Sequence, residues 1–470
     1  MLKTKIIASY GPACDNEVIL KKMYEYGMRV VRINTSFTTI KELDEAIFFI
    51  RKSVPKVALL LDVQGYKIRI KHLSKSLTVK KGDRIFVAAK ESCSVKNTLC
   101  TIAIDYPQLF SSVKVGSILH IDEGKVIIRV VEILDKGCLC EVLEGGEIAS
   151  KKTINAPGIN LNFPNLSTKD KQIITLAARE KIEFIALSFV RSIKDVEEGR
   201  KLLGKSDTKI IAKIENSQGV KNFDEILKVS DGIMVARGDL GVETLLEKVP
   251  LLQKEFVRKA NTYGKPIIIA THMLESMIHQ VVPTRAEVSD VANAILDGAD
   301  SVMLSGETAV GKYPIKAVKE MAKIAFQVEK SMEFTKCERN IFEIHKVGKP
   351  MTNGIAHAIM QICNELPIKS ILVATSSGTT ARAIASFKPK QDIFAFTSKA
   401  ISAYQLNLSF GVVSSVFFEK VKGRDNSIKT MIKNAKKEVL IKKGEMILLV
   451  SGANIMHQGT TNMLEILEIK

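Results

Sequence analysis

The chain has 470 residues, 46% of them hydrophobic, and a formal charge of +18. Its length suits about three domains, and no apolar run reaches the roughly 18 residues of a membrane span, so no membrane partner is expected. The seven cysteines are scattered and odd in number, with Cys138 and Cys140 as a lone CxC, which argues against a disulfide framework or a zinc site and for reduced thiols in a cytoplasmic protein.

In chain order, eight short apolar runs recur, most followed by a helix-like segment: TKIIASYG (4–11), VVRINTS (30–36), VALLLDVQG (57–65), FIALSFV (184–190), IIAKIEN (210–216), GIMVARGD (232–239), PIIIATHM (266–273) and SVMLSGE (301–307). Near-continuous apolar character is expected of parallel strands buried on both faces. Helix starts are marked before ITLAARE at Thr168 and by a Thr284/Glu287 capping box. Eight such units predict a TIM (β/α)8 barrel. The N-terminal run stops at Gly11-Pro12, short of the apolar region of a signal peptide.

About 90 residues between the third and fourth runs lack helical period and read as short strands with turns, a small antiparallel β-barrel or sandwich. Inserted in a βα loop, it stands over the active-site face as a lid. After about residue 335 strands at 371–376, 393–398, 412–418 and 446–452 alternate with helices, the first from Thr352 to Leu366, as in an open doubly wound α/β domain. The expected boundaries are 1–66 and 158–338 for the barrel, 67–157 for the lid and 339–470 for the last domain. The densest basic stretch, Lys420 to Lys443, carries Ile428, Met431, Ile432, Ala435 and Val439 at helical spacing, an amphipathic helix with a solvated face. The net charge is read as steering anionic small ligands, and no nucleic acid partner is expected.

Polar residues gather where the strands should end, the face on which such barrels carry function. Arg32, Asn34 and Ser36 alternate on the second run; Asp62 and Gln64, then Lys67 and Arg69, follow the third; Lys213/Glu215 and Arg237/Asp239 close the fifth and sixth. Thr271 ends the seventh, and Ser305 and Glu307 the eighth. Residues two apart share a strand face, so Lys213/Glu215 and Arg237/Asp239 each read as a cation beside a carboxylate. The set suits phosphoryl transfer. Glu215 and Asp239 are hard oxygen ligands for magnesium. Gly238 lets backbone approach an anion, Arg32 and Arg69 can grip phosphate oxygens, and Lys213 can offset transition-state charge.

The segments KIEN, MVARGDLGVE, ATHMLESM, SFVRS and PTRAEVSDVANAILDGADSVMLSGETAVGKYP together resemble the pyruvate kinases, and the likeness spans the chain. The resemblance implies magnesium (or manganese) on Glu215 and Asp239. It implies that Lys213 and Arg32 act on the transferring phosphoryl group, that Asn34 and Arg69 lie by the nucleotide, and that Thr271, helped by Ser305, lies near the carbon that is protonated. Phosphoenolpyruvate and ADP are the implied substrates and a homotetramer the implied assembly. Gly238, Asp239 and Thr271 would join Arg32 and Lys213 in binding substrate.

Three departures are informative. Phe37 stands in place of the histidine common in NFSHG, and His272 replaces a glutamine. LLDVQGYKIRI (60–70) puts Lys67 where potassium-dependent members carry glutamate, with Gln64 and Ile70 also resembling the potassium-independent branch. A tethered ammonium at the site formed by Asn34, Ser36, Asp62 and Lys67 would supply the charge of a bound potassium ion. The substitution of Tyr66 for proline has no account from sequence.

In the last domain Thr375, Ser376, Ser377, Gly378, Thr379 and Thr380 join a strand to a helix, a place where hydroxyls and amides bind phosphate. The resemblance implies a phosphorylated effector there, with the Gly459–Asn462 turn nearby. Two rival readings stay open at this level: a magnesium-dependent pyruvate aldolase, and a degenerate kinase fold kept as a basic RNA-binding protein.

Overall fold

A computed structural model of the chain describes residues 2–90, 95, 98–159, 161, 164–331, 350–417, 423–438, 440–452 and 461–470. Eight parallel strands close into a barrel in sequence order: β1 (Lys5–Tyr10), β2 (Met28–Asn34), β3 (Ala58–Val63), β4 (Phe184–Leu187), β5 (Lys209–Ile214), β6 (Gly232–Ala236), β7 (Ile267–Ala270) and β8 (Ser301–Leu304). Both faces of each strand are buried, against different neighbours. Ile7, Val30, Ala58, Leu60, Phe184, Ala186, Ile211, Met234, Ile268, Ala270 and Met303 fill the barrel. Alternate residues such as Ile6, Val31, Leu59, Ile185, Ile210 and Ile233 pack outward under the helices. Two buried faces leave no polar alternation, which is why the runs read as continuous. The helix Arg285–Leu296 opens with the expected Thr284/Glu287 capping box, and Thr168–Arg179 is boxed by Ser167 and Asp170.

Each strand stops short of the run read from sequence; β6 ends at Ala236 and not Asp239. Arg237 instead opens the helix Arg237–Glu243, so the expected strand-face pairing of Arg237 with Asp239 does not occur. A strand alternates every second residue, whereas a helix turns about 100° per residue and separates them.

The insertion is a seven-stranded sheet ordered Ile68–Arg69, Thr153–Asn155, Ile118–Ile121, Val126–Leu134, Gly137–Glu144, Arg84–Ala88 and Cys100–Ala103. It is antiparallel except for its last pair. A bridge from Ile70 to Ile104 joins its two edges, curling the sheet around its own core. Cys138 and Cys140 face that core with sulfurs 3.7 Å apart. Tyr66, unexplained by sequence, packs edge-on against Tyr106 of the lid at 5.7 Å and so anchors the hinge.

The last domain is an open sheet with strands β9 (Ile368–Ala374), β10 (Asp392–Thr397), β11 (Val412–Phe417), β12 (Met446–Gly452) and β13 (Thr461–Glu468), ordered β11-β10-β9-β12-β13. Only β13 is antiparallel among these described strands, and only it was absent from the sequence reading. The first helix runs Pro350–Glu365, and the basic helix Arg424–Lys437 buries Ile428, Met431 and Ala435 as expected. The boundary expected at 338–339 lies outside the described residues. No helix among the described residues is long and apolar enough to cross a membrane.

The last domain stoppers the barrel at the ends where its strands begin. Leu408 is wholly buried in the barrel-filling cluster, with Tyr404 packed beside it. Gln405 Nε2 donates to the backbone oxygens of Glu183 (3.3 Å) and Asp207 (2.8 Å), just before β4 and β5. Asp300, before β8, takes Lys388 Nζ at 2.6 Å and the Phe410 amide at 3.2 Å. Truncating the plug, Leu408→Ala, should lower stability by about 3 kcal/mol through lost burial and a cavity. Denaturant unfolding checks this, and a variant as stable as the parent would show that Leu408 is not packed as described.

Candidate active site

Six of the eight inward rows of the barrel continue past their last apolar member with a polar residue that joins one layer. Ile7 is followed two positions on by Ser9, Val30 by Arg32, Leu60 by Asp62, Ala186 by Ser188, Ile211 by Lys213 and Met303 by Ser305. Period-two alternation therefore lays a polar layer directly on the apolar filling, at the strand C-termini.

Asp62 is the centre of that layer. It is 2% exposed and accepts Arg32 Nε at 2.8 Å, with Arg32 Nη2 also 2.8 Å away. Its other oxygen takes Lys213 Nζ at 3.1 Å and lies 3.4 Å from the Ser188 hydroxyl. Lys213 also donates to Ser188 Oγ at 2.7 Å. Arg32 Nη1 donates to Ser9 Oγ at 2.9 Å, and Ser9 in turn donates to Leu304 O. Ser9 and Ser188 were missed from sequence; their signal was the same two-residue step along an inward row. Burial alone would raise the Asp62 pKa, but Lys213 and Arg32 outweigh it and hold the carboxylate ionised. Burial would likewise strip Lys213 of its proton, yet Asp62 and Glu215 push its pKa above the usual lysine range.

Glu215 follows β5 and is 0% exposed. Its Oε2 accepts the Phe189 amide at 2.8 Å. Its Oε1 lies 2.9 Å from Lys213 Nζ, but no donor is aimed at it with hydrogen-bond geometry. Burial raises the Glu215 pKa, and although Lys213 opposes this, the nearby Asp239 charge adds to it. A buried carboxylate oxygen without a donor, within electrostatic reach of Asp239, fits a hard cation.

Lys67 reaches the same corner. Its ammonium lies 2.8 Å from Asp239 Oδ1 and 4.7 Å over the Phe189 ring. Sequence grouped Lys67 with Asp62 and Arg32; the structure pairs it with Asp239 instead. Arg237 turns away, donating to Asp290 at 2.6 Å and to Thr271 O at 2.8 Å, and so anchors the turn.

Thr271 and His272 leave β7 with φ of 67° and 55°, and Phe189 leaves β4 with φ of 54°. Left-handed backbone at non-glycine residues is strained and clusters at functional sites. The turn aims Thr271 Oγ1 at the Gly238 amide, 2.8 Å away, so that amide is taken by a side chain and is not free for an anion. His272 is exposed and lies 3.6 Å from Glu275, outside the polar layer. Asn34 Oδ1 caps its own turn by accepting the Ser36 amide at 3.1 Å, because β2 ends at Asn34 and Ser36 lies in a 3-10 turn; the expected Arg32–Asn34–Ser36 strand alternation stops there. Arg69 belongs to the lid sheet and donates to Lys151 O at 2.9 Å, away from the Asp62 cluster's hydrogen bonds. Beside Arg32 a cavity of about 880 Å³ opens, lined by Ser9, Tyr10, Asn34, Phe49, Thr271 and Ser305 among others. The side chain of Phe37 lies outside the described residues.

In the last domain Thr375 Oγ1 accepts the Gly378 amide at 3.0 Å, Ser377 and Thr379 hydroxyls pair at 2.9 Å, and Thr380 pairs with Thr461 at 2.6 Å. Gly378 has φ 76°, a left-handed conformation that strains other residues, so the turn favours glycine. Residues 453–460, including Gly459, lie outside the described residues.

Comparison with known proteins agrees with this geometry. Residues 1–318 match the family described as pyruvate kinase, barrel domain, and residues 353–467 match pyruvate kinase, alpha/beta domain. Pyruvate kinase of Staphylococcus epidermidis is 40% identical over 99% of this chain and 80% of its own length. That of Staphylococcus aureus is 38% identical over the same shares. A solved pyruvate kinase from Cryptosporidium parvum superposes with a TM-score of 0.92 at 35% identity, covering 100% of this chain and 96% of that one. A closed barrel with an inserted curled sheet, a polar layer built around Asp62 and full-length likeness lead to one conclusion: the chain belongs to the pyruvate kinase family and is a phosphotransferase.

Proposed function

We propose that the chain transfers the phosphoryl group of phosphoenolpyruvate to ADP, giving pyruvate and ATP. The observation that carries this reading is the pair of cations, part-buried Arg32 and buried Lys213, both fixed on Asp62 beside the undonated Glu215 Oε1. A transferring phosphoryl group spreads negative charge over its oxygens, and fixed cations in a water-poor site stabilise it. Arg32, Lys213 and Lys67 stand against Asp62, Glu215 and Asp239. Three cations matched by three carboxylates leave little surplus charge for an anionic substrate. Glu215 and Asp239 would hold magnesium (or manganese), which would supply that charge to the substrate oxygens.

The chain's own groups do the rest. Asp62 holds the two cations in place before substrate arrives. The cavity beside Arg32 seats the nucleotide, with Asn34 on its wall. Arg69 would reach the nucleotide only from the lid. Thr271 and Ser305, which both line that cavity, would deliver a proton to the enolate carbon. The lid excludes water that would otherwise take the phosphoryl group.

Lys67 is the feature peculiar to this reading. Its ammonium on Asp239 supplies covalently the charge that a bound potassium ion would bring. The Ser/Thr turn at 375–380 supports a phosphorylated effector, and exposed Leu245, Leu246, Leu251 and Val282 support self-association into a tetramer. The expected location is cytoplasmic.

A coupled pyruvate assay with phosphoenolpyruvate and ADP tests the reading, with sugar phosphates as added arms and sedimentation for the assembly. Activity is expected with magnesium, to be abolished by a chelator, and to change less than about twofold when potassium is added. No pyruvate, or a several-fold activation by potassium, would overturn the corresponding part. Lys67→Glu should create a potassium requirement; a variant equally active with and without potassium would contradict the role given to Lys67.

A further inference from the structure

Lid and barrel meet on one short helix. Arg237–Glu243 follows β6 directly and holds Asp239 in its first turn. Asp239 and Glu243 are four residues apart, so both carboxylates lie on one helix face, an arrangement that is repulsive by itself. The lid side offsets both. Lys67, at the hinge, pairs with Asp239 at 2.8 Å. Asn155, on the last lid strand, donates from Nδ2 to Glu243 Oε1 at 2.7 Å. His120, the register partner of Asn155 on the adjacent lid strand, lies by the backbone of Val242. Two neighbouring lid residues thus stand against consecutive residues of the helix that carries Asp239, and one of them, Asn155, bonds to it directly. No side chain caps that helix at its start, where Ala236 stands. A helix under two turns long moves as a unit, so a pull on Glu243 is a pull on Asp239.

We propose that Asn155 and Glu243 form a latch through which the seated lid fixes the helix bearing Asp239, so that lid position sets the strength of the metal site. Both are positioning residues, since neither touches the reacting atoms. The inference rests on the reading of Glu215 and Asp239 as metal ligands.

The test uses the full chain, Mn2+ alone as probe, and two readouts: Mn2+ affinity by electron paramagnetic resonance, and amide exchange of the strands Ile118–Ile121 and Thr153–Asn155. Asn155→Ala removes the donor without changing charge. It should weaken Mn2+ binding about tenfold, the worth of a hydrogen bond to a charged group, and speed exchange in both strands. The double variant Asn155→Asp with Glu243→Gln exchanges donor and acceptor, keeps the net charge, and should restore Mn2+ affinity to within about twofold of the parent. An Asn155→Ala protein with parental affinity and exchange overturns the latch. So does a double variant as weak as Asn155→Ala. A parent that binds no Mn2+ overturns the metal reading instead, and the latch then stands or falls on exchange alone.

Discussion

One buried carboxylate, Asp62, holds two cations from different strands, and the site is organised around it. An isolated charge taken out of water costs several kcal/mol, and removing one member of a buried pair leaves that cost unmet. Arg32, Asp62 and Lys213 therefore stand or fall together. Their ionisation directions agree: Asp62 is held down and Lys213 up, each by the other. Because β2, β3 and β5 are fixed in a closed ring, the cations are set before substrate arrives. That preorganisation is what transition-state stabilisation requires.

The barrel separates stability from chemistry along its axis. At one end Leu408 of the last domain completes the apolar filling. At the other most inward rows turn polar within one step. The lid adds a third element whose footing is the hinge at Tyr66 and Lys67 and the helix Arg237–Glu243. The two carboxylates proposed to hold the metal thus differ in kind. Glu215 is locked in the barrel, whereas Asp239 rides on a helix in contact with the lid.

The eight barrel strands were legible because strands buried on both faces must be apolar throughout. So were most of the residues brought together at the mouth, since charged residues ending apolar runs are hard to explain otherwise. Four things were not legible. Strand ends were overrun, because a run of apolar character does not record where φ turns positive, as at Phe189 and Thr271; hence Arg237 was paired with Asp239 when it anchors a turn. Ser9 and Ser188 carry no charge and passed as ordinary strand-end residues, though each holds a cation. Lys67 was given the wrong neighbours, because its partner Asp239 lies 172 residues away. The edge strand β13 was missed for a similar reason: alternating burial in TNMLEILE is a weaker signal than a continuous run.

The most direct test of this account is the turnover of Asp62→Asn with phosphoenolpyruvate and ADP at saturating magnesium. An amide of the same shape cannot hold two ammonium-type charges, so the account predicts a fall in kcat of about a hundredfold or more, with the barrel still folded. An Asp62→Asn enzyme turning over within about twofold of the parent would contradict it, since a factor that small is less than about 0.5 kcal/mol of barrier.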